Sequence, residues 1–205
     1  MEKLKSSLTN MVVVLVVVAV VTSGLLAVVN HVTEGPKAVK AEKTLADGIK
    51  KVMCTQDLTV TANDTITTQD EKGKDVKYIV YKVSDKAGKE LGAAVKSTTL
   101  GFGGDLEVLV GFDPEGTILG YTILKHAETP GLGAKADKWF QKGEKGDIIG
   151  KSPQEPLTVS KDGGQVDAIT ASTITSRAFL LAVNNAYNAY MDIPVDAETG
   201  ASPKK

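Results

Sequence analysis

The sequence predicts an α+β fold in which a single N-terminal transmembrane helix precedes a domain with an antiparallel sheet flanked by helices. Three observations support this prediction: an uncharged apolar stretch near the N-terminus, a series of strand-like segments separated by turn residues, and a last segment with helical periodicity. Strands that follow one another through short turns form an antiparallel meander, whereas a doubly wound parallel sheet needs a helix between successive strands.

The apolar stretch runs from Met11 to Val29 and contains no charged residue. A bilayer core requires about 20 apolar residues in a helix, so residues 11–29 are just long enough to cross it after a short cytoplasmic tail of residues 1–10. A cleavable secretory signal is the alternative, because Lys3 and Lys5 precede an apolar stretch and small residues follow it. Signals usually have a shorter apolar region of roughly 7–15 residues, which favours a retained anchor.

The charges beside the anchor give a mixed indication of its direction. Lys3 and Lys5 on one side compete with Lys37, Lys40 and Lys43 on the other, and this count mildly favours a cytoplasmic main domain. The very short preceding tail is instead typical of a signal-anchor, which directs the long remainder outward. We therefore expect a single-pass protein of the cell (inner) membrane whose main domain lies on the extracytoplasmic side.

Residues 30–56 are predicted to form a linker and a membrane-proximal helix. The residues Glu34, Gly35 and Pro36 predict a joint in the chain, because Gly and Pro favour turns. From Ala38 to Met53, apolar residues recur at helical spacing with lysines between them, which predicts a helix.

The main domain is predicted to span residues 57–191, followed by a flexible tail of residues 192–205. The predicted strands are Lys77–Val83, Glu90–Thr98, Asp105–Phe112 and Thr117–Lys125, with turns at Asp85–Gly88 and Asp113–Gly116 and a glycine-rich loop at Gly101–Gly104. Gly143–Pro156 is rich in Gly, Lys and Pro and predicts a surface loop. Ser176–Tyr190 carries one apolar helical face, which predicts a closing helix packed on the sheet.

Composition and charge exclude several classes of function. With 24 basic and 25 acidic residues, the formal net charge is −1, which gives no excess positive field to bind nucleic acid. The single cysteine, Cys54, excludes an internal disulfide and a cysteine-rich metal site, and we interpret it as an ordinary small residue. The two histidines, His31 and His126, lack the close spacing of a zinc hydrolase. We predict no metal site, so redox chemistry would need an organic cofactor.

Residues 167–177 concentrate hydroxyl side chains at the start of the closing helix. Unpaired N–H groups and the positive end of the helix dipole favour a phosphate at such a position, and Arg177 could add a formal charge. The alternative is that these Ser and Thr residues are ordinary helix caps with no ligand. The residue types alone leave both interpretations open.

The segment from Asp167 to Thr173 reads D-A-I-T-A-S-T and resembles the flavinylation motif D-x-x-[ST]-[GA]-[AS]-T of the FMN-binding domain family. In that family a flavin transferase splits FAD and joins FMN by a phosphoester to the last threonine, so the resemblance implies a phosphoprotein with covalent FMN on Thr173. Ala171 takes the usual place of Gly, and Ser172 that of Ala; both are small enough to leave Thr173 accessible. The implied FMN-binding residues here are Asp167, Thr170, Ala171, Ser172, Thr173, Ile174 and Thr175.

A second segment, from Glu128 to Gly133, resembles the E-T-P-G-L-G loop that helps to enclose the flavin in the same family. The further implied FMN-binding residues are Glu128, Thr129, Pro130, Gly131, Leu132 and Gly133. The alternative is a simple Pro-Gly turn that leaves a strand. The two segments occur in the family's order about 40 residues apart, and the Gly101–Gly104 loop also fits the resemblance, which makes the match specific.

The resemblance implies an electron-transfer subunit of a membrane-bound ion-translocating oxidoreductase, and the short chain with one anchor is most similar to the G subunits of Rnf-type ferredoxin:NAD complexes. Such a protein relays electrons among other membrane subunits and is not catalytic alone, so no catalytic residue is predicted. The alternatives are the C subunit of the sodium-pumping NADH:quinone oxidoreductase and a non-redox membrane-anchored binding or assembly module. Trp139 and Phe140 are expected either to shield the flavin or to belong to the core.

Overall fold

The structure, a computed structural model, describes residues 8–69 and 75–193. Its helices are α1 (Leu8–Val52), α2 (Ala136–Trp139) and α3 (Thr173–Tyr190), and two short 3₁₀ turns lie at Gly133–Lys135 and Ser160–Asp162. Its strands are β1 (Thr59–Gln69), β2 (Asp75–Ser84), β3 (Glu90–Leu100), β4 (Asp105–Phe112) and β5 (Ile118–Lys125). The chain divides into two compact units, the first ending at Thr44 and the second beginning at Leu45.

Helix α1 contains the predicted transmembrane segment. Among the described residues it is the one helix that is long and apolar enough to cross a membrane, with a mean hydropathy of 3.1 over its most apolar window. The predicted joint at Glu34–Pro36 is wrong, because the helix continues through Pro36. Proline removes one backbone donor from a helix, and the Ala, Lys, Glu and Leu residues that follow have high helix propensity and sustain the helix. Most of the predicted cytoplasmic tail, residues 1–7, lies outside the described residues.

The five strands form one antiparallel sheet in the order β1-β2-β3-β4-β5, which confirms the predicted fold class. Short turns join β2 to β3, β3 to β4 and β4 to β5. The Asp85 side chain closes the first of these turns by accepting hydrogen bonds from the amides of Ala87 and Lys89 at 2.8 and 2.9 Å. The edge strand β1 is not among the strands that the sequence predicts. Its residues are mostly polar and exposed, so it lacks the alternation that marks a strand with one buried face.

Helix α3 packs on one face of the sheet, which we call the α3 face. Phe179 of α3 is fully buried there against the rings of Tyr121 and Phe140, with ring centroids 4.8 and 4.3 Å away. The Thr99 hydroxyl of β3 donates to the carbonyl of Ala178 at 2.9 Å, and this hydrogen bond helps to position α3 on the sheet. The predicted closing helix is therefore present and begins three residues earlier than expected.

The opposite face of the sheet, which we call the α1 face, is covered by residues 45–52 at the end of α1. Ile49 and Val52 pack there against a small apolar cluster that includes Leu109. Gly111 lies directly beneath the end of the helix, and a Cβ at this position would meet the backbone of Val52. The absence of a side chain on Gly111 therefore allows the helix and the sheet to approach closely.

Residues 143–156 contain turns but no helix or strand, as the sequence predicts. Ile148 within this loop is nevertheless fully buried and completes the core of the α3 face. Phe140 is also fully buried and belongs to this core, and the partly buried Trp139 packs against it. Most of the predicted flexible tail, residues 194–205, lies outside the described residues.

Candidate functional site

A pocket of about 400 Å³ lies between the amino end of α3 and two loops that extend from the sheet. This volume falls within the usual range of small-molecule sites, roughly 300–1,000 Å³. The pocket brings together the two segments that the sequence singled out, although they lie about 40 residues apart in the chain. Its lining residues are Phe102, Glu128, Thr129, Leu132, Gly133, Ala171, Ser172, Thr173, Ile174 and Thr175.

The amino end of α3 forms one wall of the pocket. Ser172 precedes the helix, and no side chain caps this end. The first N–H groups of an α-helix have no partner within the helix, so an uncapped end presents donors and a partial positive charge to an anion. Ala171 adopts a left-handed backbone conformation with φ of 61°, which turns the chain sharply into the helix.

Glu128 holds the opposite wall together. This side chain is only 6% exposed, and one of its carboxylate oxygens accepts hydrogen bonds from the amides of Phe102 and Gly103 at 2.8 and 3.2 Å. The other oxygen accepts the Thr175 hydroxyl at 2.7 Å. Glu128 therefore ties the glycine-rich loop and its own loop to the first turn of α3.

The glycines on either side of Glu128 leave room for its carboxylate. A Cβ at Gly101 or Gly133 would collide with this group. Two of the glycines in the loops that resemble the family are thus explained by the close packing of one buried carboxylate.

Thr173 begins α3 and faces a cation that lies outside the helix. The Lys161 ammonium donates to the Thr173 hydroxyl oxygen at 3.2 Å. Arg177, which the sequence suggested as the charged partner of a phosphate, instead binds the Asp162 carboxylate through two hydrogen bonds of 2.7 Å each. These hydrogen bonds lower the pKa of Asp162 and raise the pKa of Arg177, so the charge of Arg177 is already paired.

Four predicted site residues lie outside the pocket lining. Pro130, Gly131 and Thr170 are exposed on the surface beside it. Asp167 lies behind the start of the helix, where its carbonyl accepts the Trp139 indole N–H at 2.8 Å and its carboxylate accepts the Ser160 hydroxyl at 3.1 Å.

The sequence does not predict two residues of this region. Phe102 is 69% exposed and lines the pocket from the β3–β4 loop, and Lys161 reaches Thr173 from the 3₁₀ turn. The glycines around Phe102 predict a tight loop, but they do not predict that the Phe102 ring lines a pocket. The sequence around Lys161 carried no signal, because the contact depends on how the turn packs beside α3.

Comparisons with known proteins identify the family of this chain. Residues 101–188 match the FMN-binding domain family, and this range contains the whole pocket and Lys161. The G subunit of the ion-translocating oxidoreductase complex of Vibrio parahaemolyticus is 33% identical over 85% of this chain and 85% of its own length. The chain belongs to the family of these G subunits. The G subunit of the Na⁺-translocating ferredoxin:NAD⁺ oxidoreductase complex of Acetobacterium woodii is also 33% identical, over 88% of this chain and 90% of its own length.

The fold of this family member resembles a solved structure. The crystal structure of NqrC from Shewanella oneidensis superposes with a TM-score of 0.53 over 73% of this chain and 93% of that chain. The two sequences are only 16% identical, so the likeness concerns the fold.

The pocket of this family member has the chemistry that FMN requires. The uncapped end of α3 and the Lys161 ammonium suit a phosphate, and the exposed apolar side chains of Phe102 and Leu132 suit a flat aromatic ring. Within the described residues, no group of three or more His, Cys, Asp or Glu side chains could hold a metal ion. Phe140 belongs to the core, and the Trp139 indole bonds Asp167, so neither side chain lines the pocket.

Proposed function

We propose that this chain is the FMN-carrying electron-transfer subunit of a membrane-bound, Rnf-type ion-translocating oxidoreductase, and that FMN is bound covalently through a phosphoester to Thr173. Thr173 is the tether, whereas redox chemistry is supplied by the flavin, which accepts and releases electrons. The chain relays electrons between other membrane subunits of the complex and needs no general acid or base of its own.

The observation that carries this proposal is the position of Thr173 at the uncapped start of α3, on the wall of a pocket whose other wall is the Glu128–Gly133 loop. An ordinary capping hydroxyl would bond the free N–H groups of its own helix, and no side chain does so here. The Thr173 oxygen instead bonds a lysine, which leaves the helix end available to a phosphate.

Attachment requires FAD and a flavin transferase as a partner during maturation. The Thr173 oxygen forms a bond to the phosphorus of the FMN half of FAD. The pyrophosphate bond breaks, AMP leaves with the bonding electron pair, and a base of the transferase takes the hydroxyl proton. The product is a phosphodiester that cannot dissociate.

A denaturing gel tests the attachment directly. Full-length protein made in a host with the flavin transferase is expected to give a band that fluoresces under ultraviolet light and a mass increase of FMN size. Thr173→Ala should abolish both signals, and the control Thr65→Ala, on the exposed edge strand, should retain them. A native protein with neither signal would refute the covalent site and favour a non-redox binding module.

The direction of the membrane anchor can be tested with Cys54. This cysteine is free and exposed in the described structure and is the single cysteine of the sequence, so it is a natural topology probe. We propose that the FMN domain lies on the extracytoplasmic side, so a membrane-impermeant maleimide should label Cys54 in spheroplasts. Cys54→Ser controls for unspecific labelling. Labelling that occurs only after the membrane is lysed would place the domain in the cytoplasm.

The partner subunits distinguish the Rnf-type complex from the quinone-reducing alternative. Covalent FMN suits both complexes, so the gel does not separate them. Co-purification in mild detergent with iron–sulfur subunits and ferredoxin-dependent NAD reduction is expected for the Rnf type. Sodium-dependent quinone reduction by the purified assembly would overturn this assignment in favour of the C subunit of the quinone-reducing complex.

A further inference from the structure

The 3₁₀ turn Ser160–Asp162 is held against the flavinylation segment from two sides. The Asp162 carboxylate forms the double hydrogen bond with Arg177 on α3, and the Ser160 hydroxyl donates to Asp167, the first residue of the segment. The backbone amides of Ser160 and Asp162 are also bonded, to the carbonyls of Val166 and Val159, each at 2.8 Å. Lys161 lies between Ser160 and Asp162, the two residues that these hydrogen bonds hold in place.

This arrangement points Lys161 at one atom. Its ammonium group lies 3.2 Å from the Thr173 hydroxyl oxygen, although twelve residues separate the two in sequence. A lysine can only donate, so the Thr173 oxygen is the acceptor and its own hydrogen points elsewhere. The hydroxyl proton is thus left free for an external base, while the cation remains beside the oxygen that would bear the negative charge.

We propose that Lys161 is the charge partner of Thr173, first in the transfer of FMN and then toward the phosphodiester that results. This proposal rests on covalent FMN at Thr173. Lys161 stabilises the negative charge that develops on the Thr173 oxygen as it attacks phosphorus, and afterwards it neutralises the single charge of the diester. Arg177 cannot replace it, because the Arg177 guanidinium is bound to Asp162.

The same geometry gives Asp167 and Arg177 positioning roles. Neither side chain contacts Thr173 in a hydrogen bond, but each holds one end of the turn that carries Lys161. The first and last residues of the flavinylation segment are therefore connected by a path through Ser160 and Lys161. The structure thus gives Asp167 a role that does not require contact with the flavin.

The rate of flavin attachment tests this proposal. Purified full-length protein in detergent, lacking FMN, is incubated with purified flavin transferase and FAD, and covalent flavin is followed by gel fluorescence and mass. Lys161→Ala is expected to slow attachment roughly threefold to tenfold, a modest effect because this ammonium is partly solvated. Lys161→Arg should restore most of the rate, and the exposed Lys142→Ala should match the wild type.

Salt and a double variant distinguish a charge effect from a structural one. Added salt should reduce the advantage of the wild type over Lys161→Ala, because screening weakens the ammonium's contribution. Ser160→Ala should cause a smaller loss, and Ser160→Ala combined with Lys161→Ala should be no slower than Lys161→Ala alone. If Lys161→Ala instead slowed attachment by destabilising the fold, its thermal unfolding temperature would be lower than that of the wild type, and its loss of rate would not depend on salt.

The possible results distinguish a failure of the Lys161 role from a failure of covalent FMN attachment at Thr173. If the wild type takes up no flavin, covalent FMN on Thr173 fails, and the role of Lys161 fails with it. If the wild type is modified and Lys161→Ala is modified equally fast at low salt, only the role of Lys161 is refuted. A loss of rate in Lys161→Ala that Lys161→Arg does not restore would also contradict a role based on charge.

Discussion

The two faces of the sheet differ in what covers them and in how closely it packs. On the α3 face, a long helix and several loops bury large aromatic rings, and the candidate site lies where this helix begins. On the α1 face, residues 45–52 cover a smaller and mostly aliphatic cluster, and Gly111 allows the helix and the sheet to approach closely. The α3 face therefore contains both the larger core and the candidate site, so the residues of the site are held in place by the more extensive of the two buried clusters.

Phe179→Ala should produce the largest loss of stability. The ring is fully buried between Tyr121 and Phe140, and its removal leaves a large cavity that costs about 3–5 kcal/mol in the free energy of unfolding. Val52→Ala on the α1 face removes a smaller buried side chain and should cost about 1.5–2.5 kcal/mol. Chemical denaturation of the full-length protein measures both, and equal losses would contradict the difference between the faces.

Gly111→Ala tests the close approach on the α1 face. Its new Cβ would overlap the Val52 carbonyl, so the end of α1 must shift, at a cost of about 1–3 kcal/mol. The shift should also change the environment of Cys54, whose thiol lies 3.6 Å from the Leu119 carbonyl. We expect faster thiol labelling under native conditions. Unchanged stability together with unchanged labelling would show that the helix end does not depend on this glycine.

The sequence predicts much of the fold because the features that specify it are local. The strands β2 to β5 have turn residues between them, and α3 has helical periodicity. The strand β1 escapes prediction because most of its residues are polar and exposed. The joint predicted at Pro36 is wrong because the helix-favouring residues around this proline sustain α1. The conformation of β1 is set by its pairing with β2, a contact that its own sequence pattern does not reveal.

The candidate site was predictable only in part, for a different reason. Resemblance to a family supplied Thr173 and the Glu128 loop, but the pairing of charges around them depends on contacts distant in sequence. Arg177 lies four residues from Thr173, which is about one helical turn, but its guanidinium is bound to Asp162. The cation beside Thr173 is instead Lys161. It lies in the 3₁₀ turn Ser160–Asp162, and no local sequence pattern predicts that this turn packs beside α3.

Ala171→Gly, at the pocket, should raise the stability of the folded protein. Ala171 has φ of 61°, a left-handed conformation that costs a residue with a Cβ about 1 kcal/mol and costs glycine almost nothing. The greater freedom of glycine in the unfolded chain offsets part of the gain, so we expect a net rise of about 0.5 kcal/mol in the free energy of unfolding.

The control for this change lies in the same segment. Ala168 has a negative φ, so Ala168→Gly brings no relief and should lower stability by about 0.5–1 kcal/mol. Chemical denaturation of both variants distinguishes backbone strain from a general response of the segment. A loss of stability in both would show that the conformation of Ala171 is not strained.

Asp162→Asn should have a small effect on stability that depends on pH. The Arg177 hydrogen bonds lower the pKa of Asp162 below its ordinary value of 3.8, so the ionised carboxylate stabilises the folded state at higher pH. This contribution is complete above pH 3.8 and is lost as the pH falls through the lower pKa of the folded state. The pair is partly exposed, so we expect the wild type to exceed Asp162→Asn by less than about 1 kcal/mol at neutral pH. Unfolding measured at several pH values should show this difference in the free energy of unfolding vanishing below pH 3.8. A difference that stays constant with pH would contradict this prediction, because it would mean that the asparagine disturbs the turn by its shape and not by its missing charge.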